Sequence, residues 1–303
     1  YTLKGNSDPL GKIKTKDIML PDRFIYNFFR IIKEIKADKP DLVHVFNAGY
    51  SPVGFFIKRK FGIPYIVTAH GKDLFTPFAG PMIFRKRSAL FGTKRADLVL
   101  TISTFVAEKI KKKISGTKIQ VLSHGLDLDR FKPLEKDALK TKYGLKGKKV
   151  ILSVGRLDHR KGFDSVIRAV PEIRKEIPNI MYLILGEGKD KEKLLSLINA
   201  LDLNEHVKLV GYVPHFSEEL IEYYSLADVF IMTPREFKGD FEGFGLVYIE
   251  ANACGTTPIG SRSGGVDTTI LDGKTGIIIK DDGTHEIKNA VLKLLTDHQL
   301  YDS

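Results

Sequence analysis

The stretch KKVILSVGRLDHRKGFDSV (148–166) decides the architecture. Its first part, KKVILSVG (148–155), is short, rich in β-branched residues and closed by a glycine, so it reads as a buried strand. A polar loop with Arg156 and Lys161 follows, and Gly162 opens a helix over 162–176. Reading toward the C-terminus, strands are expected at 180–186, 207–211, 228–234, 257–260 and 276–280. Helices are expected at 190–201, 216–225, 245–254 and 284–298. Reading back toward the N-terminus gives strands at 41–46, 64–69, 97–103 and 118–123, with helices near 22–37, 51–61, 81–95 and 104–114. Strands that alternate with helices imply parallel sheets covered by helices. The polar, proline-containing DRFKPLEKD (129–137) separates two such series. The expected fold class is therefore α/β, two doubly wound parallel-sheet (Rossmann-like) domains facing across a cleft, divided as 1–133 and 134–303. In such sheets ligands sit at the carboxyl ends of strands.

The 303 residues are enough for two ordinary domains, and 43% hydrophobic with 28% charged is a globular composition. The one cysteine, Cys254, excludes an internal disulfide and fits a reducing compartment. No apolar run reaches the roughly 18 residues that a membrane span needs. Charge is uneven: residues 1–136 carry 26 Lys+Arg against 12 Asp+Glu, a net of +14, and the remainder carries 22 against 25, a net of −3, which together give the chain's +11. A basic half beside a mildly acidic one points to an anionic partner for the first half.

Three stretches carry candidate chemistry. In the loop after the 148–155 strand, Gly155, Arg156 and Lys161 form a candidate diphosphate clamp, with Arg as a planar fork and Lys as a mobile point charge. A basic solvated loop is the plain alternative. In EGFGLVYIE (242–250), Glu242 stands just before a helix and Glu250 within it. If fully helical, the eight steps would span roughly 12 Å. That is about the reach from sugar to ribose in a nucleotide-diphosphate sugar, so one carboxylate could meet sugar hydroxyls and the other ribose hydroxyls. Gly243 and Gly245 would admit close backbone approach. An acidic helix start plus a second exposed glutamate is the plain alternative. In SRSGGVDTTILDGKTGIII (261–279), Gly264 and Gly265 could bring backbone N–H groups to a ligand, or could simply form a loop.

Other features point less far. His70, in TAHGKD (68–73), falls at the carboxyl end of a first-domain strand. DLD (127–129) has the form of a metal-binding Asp-x-Asp, but no other carboxylates cluster with it, and metal is not expected. LGEGKDKEK (185–193) lacks the third glycine of a dinucleotide fingerprint. Cys254 reads as a small buried hydrophobe. Two carboxylates also serve glycosidases, but at about 5 to 9.5 Å across one bond, closer than the spacing estimated here.

Together the EGFGLVYIE element with its ANACG continuation, the VGRLDHRKGFD loop, SGG…DGKTG, TAHGKD and HGLDLDRFKP resemble the family 4 glycosyltransferases of the GT-B fold. These elements recur in the family's order from about residue 40 to 280. REFKGDFEGFG looks most like the branch that mannosylates phosphatidylinositol and related lipids. The resemblance implies a retaining transfer of a hexose, mannose as the guess, from a nucleotide-diphosphate sugar, without metal or other cofactor. It implies that Arg156 and Lys161 hold the diphosphate, Glu242 the sugar, Glu250 the ribose, and that His70 lies beside the reacting sugar. The backbone at Phe244, Gly245 and Leu246 would contact sugar and phosphate. It also implies an acceptor-side first domain and a donor-binding second domain. Nothing in YTLKGNSDPLGKIK matches the family's opening strand and glycine-rich loop, and the chain stops at Ser303 where the family adds a helix that crosses back. On that pattern the chain is a piece truncated at both ends. Thr268, with Asp267 one place earlier, stands where the family has an acidic residue.

The expected partners are a nucleotide-diphosphate sugar, a lipid or glycan acceptor, and an anionic membrane surface met by RKR (85–87), KR (94–95) and KIKKKISGTK (109–118) beside Phe84, Leu90 and Phe91. The matching location is cytoplasmic, peripheral on the inner face of the membrane. No aromatic platform, zinc spacing or recognition-helix pattern supports nucleic acid. The alternative function is a non-catalytic nucleotide-sugar-binding protein or an inactive fragment.

Overall fold

The computed structural model describes residues 21–75 and 82–296. They divide into two compact units, the first running through Ile102 together with Val106–Leu122, the second comprising Ser103–Phe105 and the chain from Ser123 onward.

The first unit contains α1 (Pro21–Asp38), β1 (Val43–Val45), α2 (Ser51–Phe61), β2 (Tyr65–Ala69), α3 (Lys72–Phe75), α4 (Met82–Lys94), β3 (Leu98–Thr101), α5 (Thr104–Lys111) and β4 (Ile119–Val121). Its strands are parallel and lie in the order β1-β2-β3-β4. Each crossover steps in the same direction. Asp97 fixes the start of β2, accepting from the Tyr65 N–H at 2.9 Å while pairing with Lys58 at 2.6 Å. The expected first-domain strands and the four main helices are present; the short α3 is additional. The segment 1–20, which holds YTLKGNSDPLGKIK, lies outside the described residues.

The second unit contains α6 (Lys136–Lys142), β5 (Lys149–Val154), α7 (Phe163–Glu176), β6 (Ile180–Leu185), α8 (Lys191–Ala200), β7 (Val207–Gly211), α9 (Glu218–Leu226), β8 (Val229–Met232), α10 (Leu246–Ala253), β9 (Pro258–Ser261), β10 (Ile277–Ile279) and α11 (Thr284–Thr296). All six strands are parallel, in the order β10-β9-β8-β5-β6-β7. The chain winds outward from β5 to β7, then returns to lay β8 on the other side of β5. This reversal is the topological switch point of a doubly wound sheet, where the loops after two neighbouring strands part and leave a crevice. β5 and β8 are apolar and buried because helices cover both faces of the sheet.

The division between units falls at 122/123, ahead of the 133/134 expected from the polar stretch 129–137. Phe131 explains the difference: it is 3% exposed and sits in the second unit's core, with Leu126 packed against that core. α6, also not expected, follows at once. It docks through Lys140, whose Nζ lies 2.7 Å from Asp228 Oδ2 just before β8. The same carboxylate oxygen accepts from the Val150 N–H.

Candidate active site

The site grows from the two loops that part at the switch point. After β5, Asp158 caps a single 3-10 turn, His159–Lys161, by accepting from the Arg160 N–H at 3.1 Å. The turn brings Arg160 and Lys161 to the same side. After β8, residues 233–245 form a long loop, tied to the first by the Arg235 N–H, which donates to the Arg160 carbonyl at 2.7 Å. The Arg235 side chain fixes that tie further through Asp282, Asp164 (3.0 Å) and Ser165 Oγ (2.6 Å).

The two loops present opposite charges to each other. Glu242 Oε2 lies 2.5 Å from Lys161 Nζ and 3.2 Å from Arg160 Nη1, and Arg160 Nε lies 3.6 Å from Asp240 Oδ2. Burial alone would push the Glu242 carboxyl up, but Lys161 and Arg160 outweigh it and hold the group below its ordinary value. Two cations and a carboxylate, each mostly covered, thus sit at the mouth of the crevice.

Of the two readings open for the paired glycines, their packing favours the loop. Gly264 has φ +65°, and a Cβ there would fall 2.0 Å from the Glu242 carbonyl oxygen; a Cβ on Gly265 would fall 2.3 Å from the Gly243 oxygen. The Gly265 N–H donates to the Glu242 carbonyl at 2.8 Å, so it is turned to the Glu242 loop and not to a ligand. The glycines let the segment after β9 pack directly on the backbone that carries Glu242. Thr268 and Asp267 lie in the 3-10 turn that follows, Val266–Thr268.

EGFGLVYIE is only half helical. α10 begins at Leu246, and Gly245 before it is left-handed, with φ 91°. The helical rise therefore measures 246–250 and not the whole Glu242–Glu250 interval, so the 12 Å estimate does not apply. The turn that replaces it lets Gly245 lie against the Tyr248 ring, where a Cβ would meet Cδ2 at 2.6 Å. In the first turn of α10 the Tyr248 N–H donates to the Gly245 carbonyl at 3.1 Å. Phe244 is buried, edge-on to His124, and Leu246 is part exposed.

Glu250 is 1% exposed, not the exposed glutamate of the plain reading. Its Oε2 accepts from Tyr224 Oη at 2.7 Å and its Oε1 lies 2.9 Å from His215 Nε2. His215 is half exposed, so the carboxylate meets solvent only past that ring. Neither His215 nor Tyr224 was singled out in the sequence; they come from the β7–α9 turn and α9, far along the chain.

Of the expected clamp, Lys161 is in the cluster and Arg156 is not. Arg156 is 58% exposed, and its guanidinium lies 3.6 Å from Asp158 Oδ2. Arg160 takes the buried place. The signal was present, since HRK (159–161) contains it, but a run of cations does not say which one turns inward. The Gly155 N–H continues the sheet ladder to Leu185 O at 2.9 Å. His70 lies in the first unit just after β2, its Nε2 3.0 Å from the Phe46 carbonyl oxygen and its N–H donating to Asp73. The DLD turn is accounted for locally: Asp127 Oδ1 accepts from the Asp129 and Arg130 N–H groups.

Residues 135–303 match the family model described as glycosyl transferases group 1, and residues 9–130 match that described as glycosyltransferase family 4. The chain belongs to the family 4 glycosyltransferases. This glycosyltransferase is 37% identical over 209 residues to the GDP-mannose-dependent alpha-(1-6)-phosphatidylinositol monomannoside mannosyltransferase of Mycolicibacterium smegmatis, covering 67% of this chain and 54% of that protein. The chain spans about half the length of the curated relatives it matches. Among solved structures it is similar to sucrose-phosphate synthase from Thermosynechococcus elongatus (TM-score 0.76, 24% identity, 97% of this chain and 73% of that one). It is also similar to Anabaena Alr3699/HepE in complex with UDP (TM-score 0.77, 20% identity, 90% of this chain and 73% of that one). At these identities the likeness establishes the fold, which is the GT-B class expected from the sequence.

Proposed function

We propose that this glycosyltransferase moves mannose from GDP-mannose, with retention and without a metal, to a lipid or glycan acceptor at an anionic membrane surface. The observation that carries the reading is the Lys161–Glu242–Arg160 cluster at the switch point of the unit that matches the transferase family. Breaking the bond from the sugar to the diphosphate leaves negative charge on the departing phosphate oxygen. Cations already positioned there lower that barrier with no reorganisation at the moment of reaction. Lys161 takes the leaving-group role, and Arg156, exposed at the loop's edge, reaches the outer phosphate. Glu242 accepts hydrogen bonds from sugar hydroxyls, Glu250 serves the ribose past His215, and the backbone at Gly155, Gly243, Phe244, Gly245 and Leu246 lines the path between. His70 is assigned to the reacting sugar on the family pattern. The choice of mannose and of GDP follows the relative's printed name.

The membrane part of the reading rests on charge beside aromatic surface in the first unit. Phe91 is 44% exposed with Arg95 stacked 3.5 Å over its ring centroid. The side chains of Phe84, Arg85 and Lys86 lie outside the described residues. Among the described residues no helix is long and apolar enough to cross a membrane; peripheral attachment on the cytoplasmic face is the proposed location.

A thermal-shift panel of UDP-, GDP- and ADP-sugars on the full gene product tests the donor, and turnover with the best binder, read by the anomeric signal of the product, tests transfer and retention. Stabilisation by GDP-mannose with an α-linked product supports the reading. Binding without turnover in the presence of lipid and glycan acceptors would instead favour a nucleotide-sugar-binding protein.

A further inference from the structure

In the first unit the loops that follow β1 and β2 are tied together by one carboxylate and one imidazole. Asp73 Oδ2 accepts from the Ala48 N–H at 2.9 Å, and its Oδ1 accepts from the His70 N–H at 3.1 Å. His70 Nε2 lies 3.0 Å from the Phe46 carbonyl oxygen. A carbonyl only accepts, so Nε2 carries the proton. Asn47 then caps the 3-10 turn Ala48–Tyr50, its Oδ1 accepting from the Gly49 N–H at 2.9 Å. The backbone around Phe46 is therefore fixed at the carboxyl ends of these strands, where ligands of such sheets sit.

The Phe46 side chain is nevertheless 66% exposed. Single exposed apolar side chains are ordinary; this one differs in being held. Its ring centroid stands 4.0 Å from that of His44, with the planes 30° apart. His44 is anchored in turn, its Nε2 2.8 Å from Thr68 Oγ1 on β2. One face of the Phe46 ring rests on His44, and the other is left to water. That exposed ring adds little to the first unit's core. An aromatic face is electron-rich and attracts the weakly positive C–H groups of a partner laid over it. A cyclic polyol fits: its C–H groups offer an apolar face, and its hydroxyls stay at the rim in water.

We infer that Phe46 contacts the acceptor, whose hexose or inositol ring stacks on its free face. The acceptor role rests on the transferase reading, in which His70 lies beside the reacting sugar; ring binding at Phe46 does not. The bond from His70 to the Phe46 carbonyl sets the Phe46 ring next to that place. An acceptor hydroxyl must approach the sugar there, so the ring that bears it lies close by. Stacking on a fixed face orients the hydroxyl before reaction, which lowers the entropic part of the barrier. Phe46 thereby selects cyclic over open-chain acceptors.

The chain has no tryptophan, so Phe46→Trp in the full gene product keeps an aromatic face and makes it the sole indole. With GDP present, its emission is followed during titration with methyl α-mannoside, myo-inositol and the open-chain polyol mannitol. A saturable change with a ring, absent with mannitol, supports the subsite. It should also be absent in Phe29→Trp, a control equally exposed at 66% on α1. Response to methyl α-mannoside marks a glycan acceptor and response to myo-inositol an inositol headgroup; either supports the subsite. No saturable change with either ring, or the same change with mannitol, overturns it. In turnover with GDP-mannose, Phe46→Leu should raise the acceptor KM at least tenfold with the donor KM unchanged, and Phe46→Trp should lose less. Phe46→Leu indistinguishable from wild type also overturns the stacking role. Ring binding by Phe46→Trp without transfer by the wild type would leave the subsite standing and count against the transferase reading alone.

Discussion

Lys161 Nζ and Glu242 Oε2 stand 2.5 Å apart, although the residues are 81 positions apart in the chain. The contact joins the loop after β5 to the loop after β8, so the charge that would meet a leaving diphosphate also holds the carboxylate that would meet the sugar. Lys161→Ala and Glu242→Ala should therefore each cut transfer by a hundredfold or more, roughly 2.7 kcal/mol of barrier. Steady-state kinetics on the full gene product, with circular dichroism to confirm the fold, checks this. Full activity in both variants would remove the assigned roles.

Arg156 and Arg160 should separate cleanly. Arg160 is 9% exposed and pairs with buried carboxylate, so Arg160→Met leaves Glu242 with one cation and should cost about 3 kcal/mol or more of stability. Arg156 is 58% exposed, so Arg156→Ala should leave the stability within about 0.5 kcal/mol and act on donor affinity alone. Urea melts of the two variants, beside nucleotide titrations, distinguish the roles.

Gly264→Ala asks for a left-handed alanine and a Cβ 2.0 Å from the Glu242 carbonyl oxygen. Backbone strain of this kind costs about 1–3 kcal/mol. The Glu242 loop must also move. Activity should fall further than stability does.

The Glu242 carboxyl is held low by Lys161 and Arg160 against the upward push of burial. A group whose folded value lies below its unfolded value stabilises above the unfolded value and loses that contribution as pH falls through the folded one. Acid should thus destabilise the wild type only below the ordinary glutamate range. In Lys161→Met part of the opposing charge is gone and burial dominates, so the folded value rises toward or above the unfolded one, and the acid-induced loss from this group should shrink or turn into a gain as pH falls. Denaturant midpoints between pH 3 and pH 7, taken as about the useful window for a glutamate, compare the two. Coincident profiles would contradict the account of the charge cluster.

Much of this fold was legible because parallel strands buried on both faces are written as apolar runs, as in KVILSV and IMYLIL, and the runs do not depend on distant partners. The junction at 129–137 shows how contacts can depart from composition, for the converse reason: the family models part there, between 130 and 135, while the compact units part at 122/123. Phe131 and Lys140 are single anchors in polar sequence, and their partners, the second unit's core and Asp228, lie far along the chain. The site divides the same way. Glu242, Lys161 and the glycines were marked by local spacing. Arg160 was masked by the basic residues around it, and the 3-10 turn that decides which cation faces inward depends on Asp158 capping its own loop. Glu250's seclusion depends on Tyr224 and His215, which no local pattern connects to it. The helix ruler over 242–250 does not hold because Gly245, noted for close approach, takes a left-handed conformation, and the helix starts only after it, at Leu246.

The most direct measurement is calorimetric titration of GDP and GDP-mannose into the full gene product and its Lys161→Ala variant. If the switch-point cluster is the diphosphate site, the wild type binds both ligands and the variant binds each at least tenfold more weakly, about 1.4 kcal/mol. Equal affinity in the two proteins, or no binding of any nucleotide to the wild type, would contradict it.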